Sequence, residues 1–257
     1  MPEVTGRPRV LILGGTSEGR RLAAALASAA GTPYSVISSL AGRTSKPLEI
    51  AGDVRIGGFG GTRGLVDYLT AERIDAVVDA THPFAATMTR HAVDAAAQTR
   101  TPLLVLRRPG WVEEGGDDWR RVRDLTEAAA LLPRLGDRVL LTTGRQGIAD
   151  FARVEGAWFL SRSVEKPVPP MPRGLETVLD RGPFTLDGER RLFRERAINV
   201  LVTKDSGGPA PKLAAARELR IPVIVVDRPP IPPAPAVTTV EEAVEWLKTA
   251  LPKVARR

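Results

Sequence analysis

Residues 11–20 read LILGGTSEGR. An apolar run ends in Gly14 and Gly15, passes through Thr16, Ser17 and Glu18, and reaches a third glycine, Gly19, before a basic pair. Such an order predicts a buried strand, a tight turn and the start of a helix. The first N–H groups of that helix carry partial positive charge and attract anions. Gly14 and Gly15 leave room for a phosphate near the backbone, and Thr16 and Ser17 offer hydroxyls. Glu18 also suits the first turn of any helix, where a carboxylate meets the positive end. Gly19 lets the helix lie close to the sheet. The spacing departs from G-x-G-x-x-G, because the second glycine is one place early. It is not a Walker loop either, since the Lys-Ser/Thr ending is missing. Alone, the turn serves equally as a tight connection in an ordinary α/β protein.

Outward from this turn, apolar strands alternate with amphipathic helices. Strands are predicted at 9–13, 34–38, 54–56, 76–80 and 103–106, and helices at 18–30, 65–72 and 84–98. Nearly continuous apolar strands in a β-α-β-α rhythm predict an α/β fold with a parallel sheet covered on both faces. The rhythm breaks in the polar, glycine-rich segment 107–119. After a strand at 119–122 and a helix at 125–135, it restarts at 138–142, where VLLTTGRQG echoes VLILGGTSEG. This predicts two domains, residues 1–136 and 137–257. The second continues with strands at 158–160, 177–179, 197–203 and 223–226, and helices at 186–196 and 211–219. A proline-rich connector at 228–236 leads to a helix at 239–251, capped by the pattern Thr-Val-Glu-Glu.

The chain of 257 residues is long enough for one large or two modest domains. It holds no cysteine, which excludes disulfides, thiolate nucleophiles and Cys-ligated metals, and its two histidines argue against a histidine-rich metal centre. No apolar run approaches the ~20 residues of a membrane span, and MPEVTGRPRV lacks the plan of a signal peptide. A cytoplasmic enzyme without membrane contact is expected. The net charge is +7, with 20 Lys/Arg against 15 Asp/Glu in residues 137–257 and 17 against 15 in residues 1–136. Aromatic residues make up only 5%, and no basic helix stands out, so an anionic small molecule fits this charge better than nucleic acid.

The loop after the second strand bears on the choice of nucleotide. NAD enzymes place a carboxylate there for the ribose 2′-hydroxyl. This chain has Ser38, Ser39 and Arg43 instead, a set suited to a 2′-phosphate and therefore to NADP. A third loop, Thr81-His82-Pro83, follows the strand AVVDA at the same sheet edge. Pro83 suits the first turn of a helix with Thr81 or His82 as its cap. His82 is also a candidate to touch the cofactor or relay a proton, although a loop histidine more often caps or is solvated.

Taken together, GGTSEGR at 14–20, SSLAGRT at 38–44, GGFGG at 57–61, DATHPFA at 79–85, TTGRQG at 142–147, SRSVEKP at 161–167 and TKDSGG at 203–208 resemble the precorrin-6A reductase and cobalt-precorrin-6A reductase family. These are NADPH-dependent reductases of the corrin ring pathway to cobalamin. The resemblance implies two Rossmann-like domains with mainly parallel sheets and the cofactor in the inter-domain cleft. It implies reduction of one ring double bond in a polycarboxylate tetrapyrrole, precorrin-6A, to give precorrin-6B. It implies cofactor contacts from Gly14, Gly15, Thr16, Ser17, Glu18, Ser38, Ser39, Arg43, Thr81, His82, Pro83, Thr143, Gly144 and Arg145. Arg145, Arg162, Lys166, Lys204, Ser206 and Gly207 are then candidates to hold the substrate. His82, Lys204 and Asp205 are candidates to deliver the proton. No metal is called for. Another two-domain NADP-linked reductase of an acidic substrate, or a non-catalytic NADP(H) sensor, stays open at this point. Oligomeric state and the presence of cobalt in the substrate are not fixed by sequence.

Overall fold

The computed structural model describes residues 7–28, 34–42 and 49–251. In chain order the elements begin with β1 (Arg9–Leu13), α1 (Ser17–Ser28), β2 (Ser35–Leu40), β3 (Asp53–Ile56) and α2 (Gly61–Ala71). Next come β4 (Ala76–Asp79), α3 (Ala86–Thr99), β5 (Leu103–Leu106), β6 (Trp119–Val122), α4 (Leu125–Leu131) and β7 (Arg138–Thr142). The chain continues with β8 (Trp158–Ser163), β9 (Leu175–Leu179), α5 (Leu186–Glu195), β10 (Val200–Lys204), α6 (Pro211–Glu218), β11 (Val223–Val226), β12 (Ala236–Val237) and α7 (Val240–Ala250). Among the described residues no helix is long and apolar enough to cross a membrane.

The strands form two six-stranded sheets, and every pairing is parallel. The first has the order β3-β2-β1-β4-β5-β12. This is the doubly wound order, with its reversal between β1 and β4. Alternate residues of β1 point to opposite faces, as strand geometry requires. Val10 and Ile12 pack with Leu22 and Leu26 of α1 and Ala243 and Leu247 of α7. Leu11 and Leu13 pack with Leu65 and Leu69 of α2 and Ala92 and Ala95 of α3. Each fully buried leucine contributes about 1.5–3 kcal/mol of burial free energy, so the all-apolar strand is what two-sided burial selects.

The second sheet runs β9-β8-β7-β10-β11-β6. Its β7 holds the place β1 holds in the first, flanked by β8 and β10. The sequence echo thus marks equivalent strands. The turn after β7 differs, because Arg145–Phe151 is a 3-10 helix and not the start of an α-helix. Leu140, Leu160, Leu201 and Val225 pack with Phe193 of α5 and Leu213 of α6 on one face.

The chain divides into one unit of residues 1–109 and 230–257 and another of residues 110–229. This departs from the expected division at 136/137. The second sheet is built from the six consecutive strands β6 to β11, whereas the first takes its sixth strand from beyond the whole second unit. β6 precedes β7 in the chain yet pairs with β11 at the far edge of the second sheet. β12 follows the whole second unit and pairs with β5, with the Val105 amide donating to the Pro235 carbonyl at 2.8 Å. The chain after the proline-rich connector therefore returns to the first unit. There Thr239 and Glu242 close the capping box expected for α7.

Candidate functional site

The strand reversal of the first sheet sets the loops after β1 and β4 side by side. Gly14 donates its N–H to the Ser39 carbonyl at 2.9 Å, which carries the β1–β2 pairing into the turn. Gly15 has φ +116° and open space where a Cβ would stand, so glycine is required there. Thr16 turns inward. Its hydroxyl donates to the Ala80 carbonyl at 2.7 Å and accepts the Gly19 amide at 3.1 Å. It therefore caps α1 and ties the glycine turn to the β4 loop. A Cβ on Gly19 would sit 3.4 Å from both Ala80 Cβ and Gly14 Cα, which is the close helix packing expected of that glycine.

Glu18 receives Arg108 at 2.8 Å, and Ser17 donates to Glu18 at 3.1 Å. Burial pushes the Glu18 carboxyl up, but its own backbone amide and the Arg108 guanidinium outweigh this and hold it below the usual carboxylate range. After β4, the buried Asp79 organises the third loop. Its Oδ1 accepts the Thr81 amide and hydroxyl at 3.0 and 2.7 Å, and its Oδ2 accepts the Thr89 hydroxyl at 2.6 Å. α3 starts at Ala86, with Ala85 as its cap, so neither Thr81 nor His82 caps it. His82 is exposed, and its Nδ1 accepts the Phe84 amide at 3.2 Å. Pro83 is buried, and its carbonyl accepts Arg107 Nη2 at 2.6 Å.

At the ends of β2 and β3, Ser38 and Ser39 are both buried. Ser38 Oγ has no hydrogen-bond partner among the described residues. Ser39 Oγ accepts Arg55 Nη1 at 3.2 Å. The same guanidinium donates to the carbonyls of Gly57 at 2.6 Å and Gly58 at 2.8 Å. Its Cζ lies 3.8 Å from the centroid of Phe59 and 5.1 Å from that of Tyr68. Arg43, expected to accompany the serine pair, lies outside the described residues.

The GGFGG segment runs directly into α2, whose cap, Gly60, has φ +82°. Gly64, in the first turn of α2, faces the Phe59 carbonyl so closely that a Cβ would overlap it. A helical Gly→Ala change ordinarily stabilises by up to ~1 kcal/mol. Gly64→Ala is expected to destabilise instead, by about 1–3 kcal/mol, as an overpacked contact with backbone. Urea denaturation reads the sign, and a more stable variant would refute the contact.

The second sheet carries its candidates on the same carboxyl edge. Thr143 follows β7, and its buried Oγ1 has no partner among the described residues. Gly144 has φ +76°. Arg145 donates to Glu165 at 2.6 Å, and Lys166 is exposed. Arg162 has another task than the one expected of it. Its side chain is only 8% exposed, and it donates twice to the buried Glu189 of α5, at 3.0 and 2.8 Å. Lys204 ends β10, and the Ser206 amide donates to the Lys204 carbonyl at 2.6 Å in a tight turn. Gly207 is buried with φ +69°. Asp205 is buried and accepts the Trp111 amide at 2.9 Å. Arg121 and Arg228 approach its two oxygens at 3.6 and 3.8 Å.

Arg55, Asp79, Arg107 and Arg108 are the residues that sequence reasoning missed. Asp79 carried a usable signal, a carboxylate closing an otherwise apolar strand. The arginines carried none, because only the folded sheet brings Arg55 to the serine pair, Arg107 to the β4 loop and Arg108 to the glycine turn.

Two doubly wound sheets, an anion-suited glycine turn at one strand reversal and a polar edge on the second sheet define a two-unit α/β protein of the Rossmann type. The chain belongs to the precorrin-6x reductase family CbiJ/CobK, whose profile matches residues 9–248. It is 52% identical over 244 residues to a precorrin-6A reductase of Rhodococcus erythropolis, across 94% of this chain and 98% of that one. It is 29% identical over 252 residues to a cobalt-precorrin-6A reductase of Priestia megaterium, across 93% and 97% of the two chains. A solved structure described as CobK precorrin-6A reductase superposes with a TM-score of 0.89 at 43% identity, over 95% of this chain and 97% of that one.

Proposed function

We propose that this protein reduces one ring double bond of precorrin-6A with NADPH, giving the dihydro product precorrin-6B on the way to cobalamin. The observation that carries the reading is the strand reversal of the first sheet. There the glycine turn, the β4 loop and the end of β2 meet, and the β2 end offers hydroxyls and a guanidinium where an NAD enzyme would offer a carboxylate. The donor set fits the coenzyme on three counts: the open φ-positive Gly15, the orphaned Ser38 hydroxyl and the fixed Arg55. When bound, the reduced nicotinamide supplies a hydride.

The chain's own residues hold and orient. Thr16 and Asp79 lock the two loops of the seat, so that little ordering is left for binding to do. Arg107 fixes the loop that carries His82. On the second sheet, Arg145 and Lys166 suit substrate carboxylates. Thr143, Lys204, Ser206 and Gly207 line the same edge. His82, Lys204 and Asp205 are the groups we assign to proton delivery, with Asp205 the most constrained of them, since its buried carboxylate accepts the Trp111 amide. The reading of a metal-free substrate draws support from 43–52% identity to five relatives named precorrin-6A reductase. Those named cobalt-precorrin-6A reductase stand at 28–29%.

An anaerobic assay tests the proposal. NADPH oxidation should require precorrin-6A and yield a product heavier by two hydrogens, with the cobalt form a poorer substrate. Unchanged NADPH in the presence of the metal-free macrocycle would overturn it.

A further inference from the structure

The geometry points to Arg55 as the residue that reads the 2′-phosphoryl group of the dinucleotide, an inference that rests on the NADPH reading above. A guanidinium recognises phosphate best when it is held flat and already oriented, because two parallel N–H bonds then form at small entropic cost. Arg55 is held in this way. Two carbonyls and the Ser39 hydroxyl take three of its N–H groups, and the ring of Phe59 backs it at 3.8 Å. A guanidinium has five N–H donors, so two remain for a ligand among the described residues.

The surroundings agree. Ser38, which alternates to the other face of β2 from Ser39, keeps at the same strand end a buried hydroxyl without a partner among the described residues, a group that costs free energy unless something satisfies it. Gly57, Gly58, Gly60 and Gly61 have open space where side chains would stand, so the backbone beside Arg55 is bare. β2 and β3 pair in parallel, with Ser39 opposite Arg55, which sets the guanidinium at the strand end where the adenosine ribose of a doubly wound fold sits. Arg55 therefore takes the role that sequence reasoning gives to Arg43.

Binding measurements on the whole chain test this. NADPH and NADH are titrated separately by fluorescence, and 2′,5′-ADP is set against 5′-ADP as a competitor, for the parent, Arg55→Leu, Arg55→Lys and Arg43→Ala. In Arg55→Leu the Kd for NADPH should rise by about 10- to 100-fold, and the advantage of 2′,5′-ADP should vanish. Its Kd for NADH should hold within about twofold, and Arg55→Lys should fall between parent and Leu. A parent with no preference for NADPH overturns the coenzyme reading itself, and this inference with it. A parent that prefers NADPH beside an Arg55→Leu variant with the same preference overturns the inference alone. Equal loss of both coenzymes means that Arg55 only holds the glycine loop, and this too overturns it. Should Arg55→Leu lower the melting temperature, Arg55→Lys carries the same comparison.

Discussion

Arg162→Ala should lower the stability of the protein by about 3–5 kcal/mol, the cost of leaving one member of a buried ion pair alone. The Arg162 guanidinium lies over the ring of Phe184 at 3.8 Å and donates to both oxygens of Glu189, which is 1% exposed. Removing the arginine strands a carboxylate under α5, and the positive end of that helix offsets only part of the penalty. Glu189→Ala strands the guanidinium and should cost a similar amount. Arg162→Met with Glu189→Leu together should recover most of the loss, since neither charge then stays buried. Urea denaturation of the three variants checks the set. A loss in Arg162→Ala below about 1 kcal/mol, the range of an exposed pair, would show that the guanidinium is available to a ligand after all.

Asp205→Ala should cost about 2–3 kcal/mol, the worth of a charge-assisted hydrogen bond plus a stranded donor. Its Oδ1 is the acceptor for the Trp111 amide, its Oδ2 lies 3.6 Å from Arg121, and its backbone carbonyl accepts Arg228 Nε at 2.9 Å. A Cβ on Gly110 would meet Oδ2 at 2.8 Å, so the chain is pressed against this carboxylate as it enters the second unit. Arg228 stands where it leaves. Asp205 thus fastens both ends of the segment that forms the unit. Asp205→Asn keeps the Oδ1 acceptor and should retain more stability than the alanine variant. Denaturation and turnover are measured together. An asparagine variant of parental stability that has lost about 100-fold or more in kcat, the range of general acid catalysis, would single out Asp205 as the proton donor.

The parts of the fold legible in the sequence were those written in local pattern. β1, β5, β7 and β11 are short apolar runs bounded by turn residues, and they stand where periodicity put them. The glycine turn was equally legible, because the positive φ of Gly15 and the Gly14 side of the Gly19 contact are constraints set within a few residues of the chain. The domain division was not. β12 is two residues long and contributes no periodicity, and its assignment depends on a partner strand about 130 residues away. Arg162 reads as a surface charge because its partner is 27 residues distant and on another element. The seat around Ser38 and Ser39 was half legible. The serines end a strand, but Arg55 joins them only through the β2–β3 register, and Arg43 lies outside the described residues.

Because the second unit is threaded into the first, the order of synthesis is not the order of completion. A ribosome finishes all of residues 110–229 before it delivers the edge strand and terminal helix that close the older sheet. Val240, Ala243 and Leu247 fill a core begun by Val10 and Ile12 far earlier in the chain. The first unit therefore begins to emerge before the second and is completed after it, because α7 joins the face on which α1 packs only once residues 110–229 have been made.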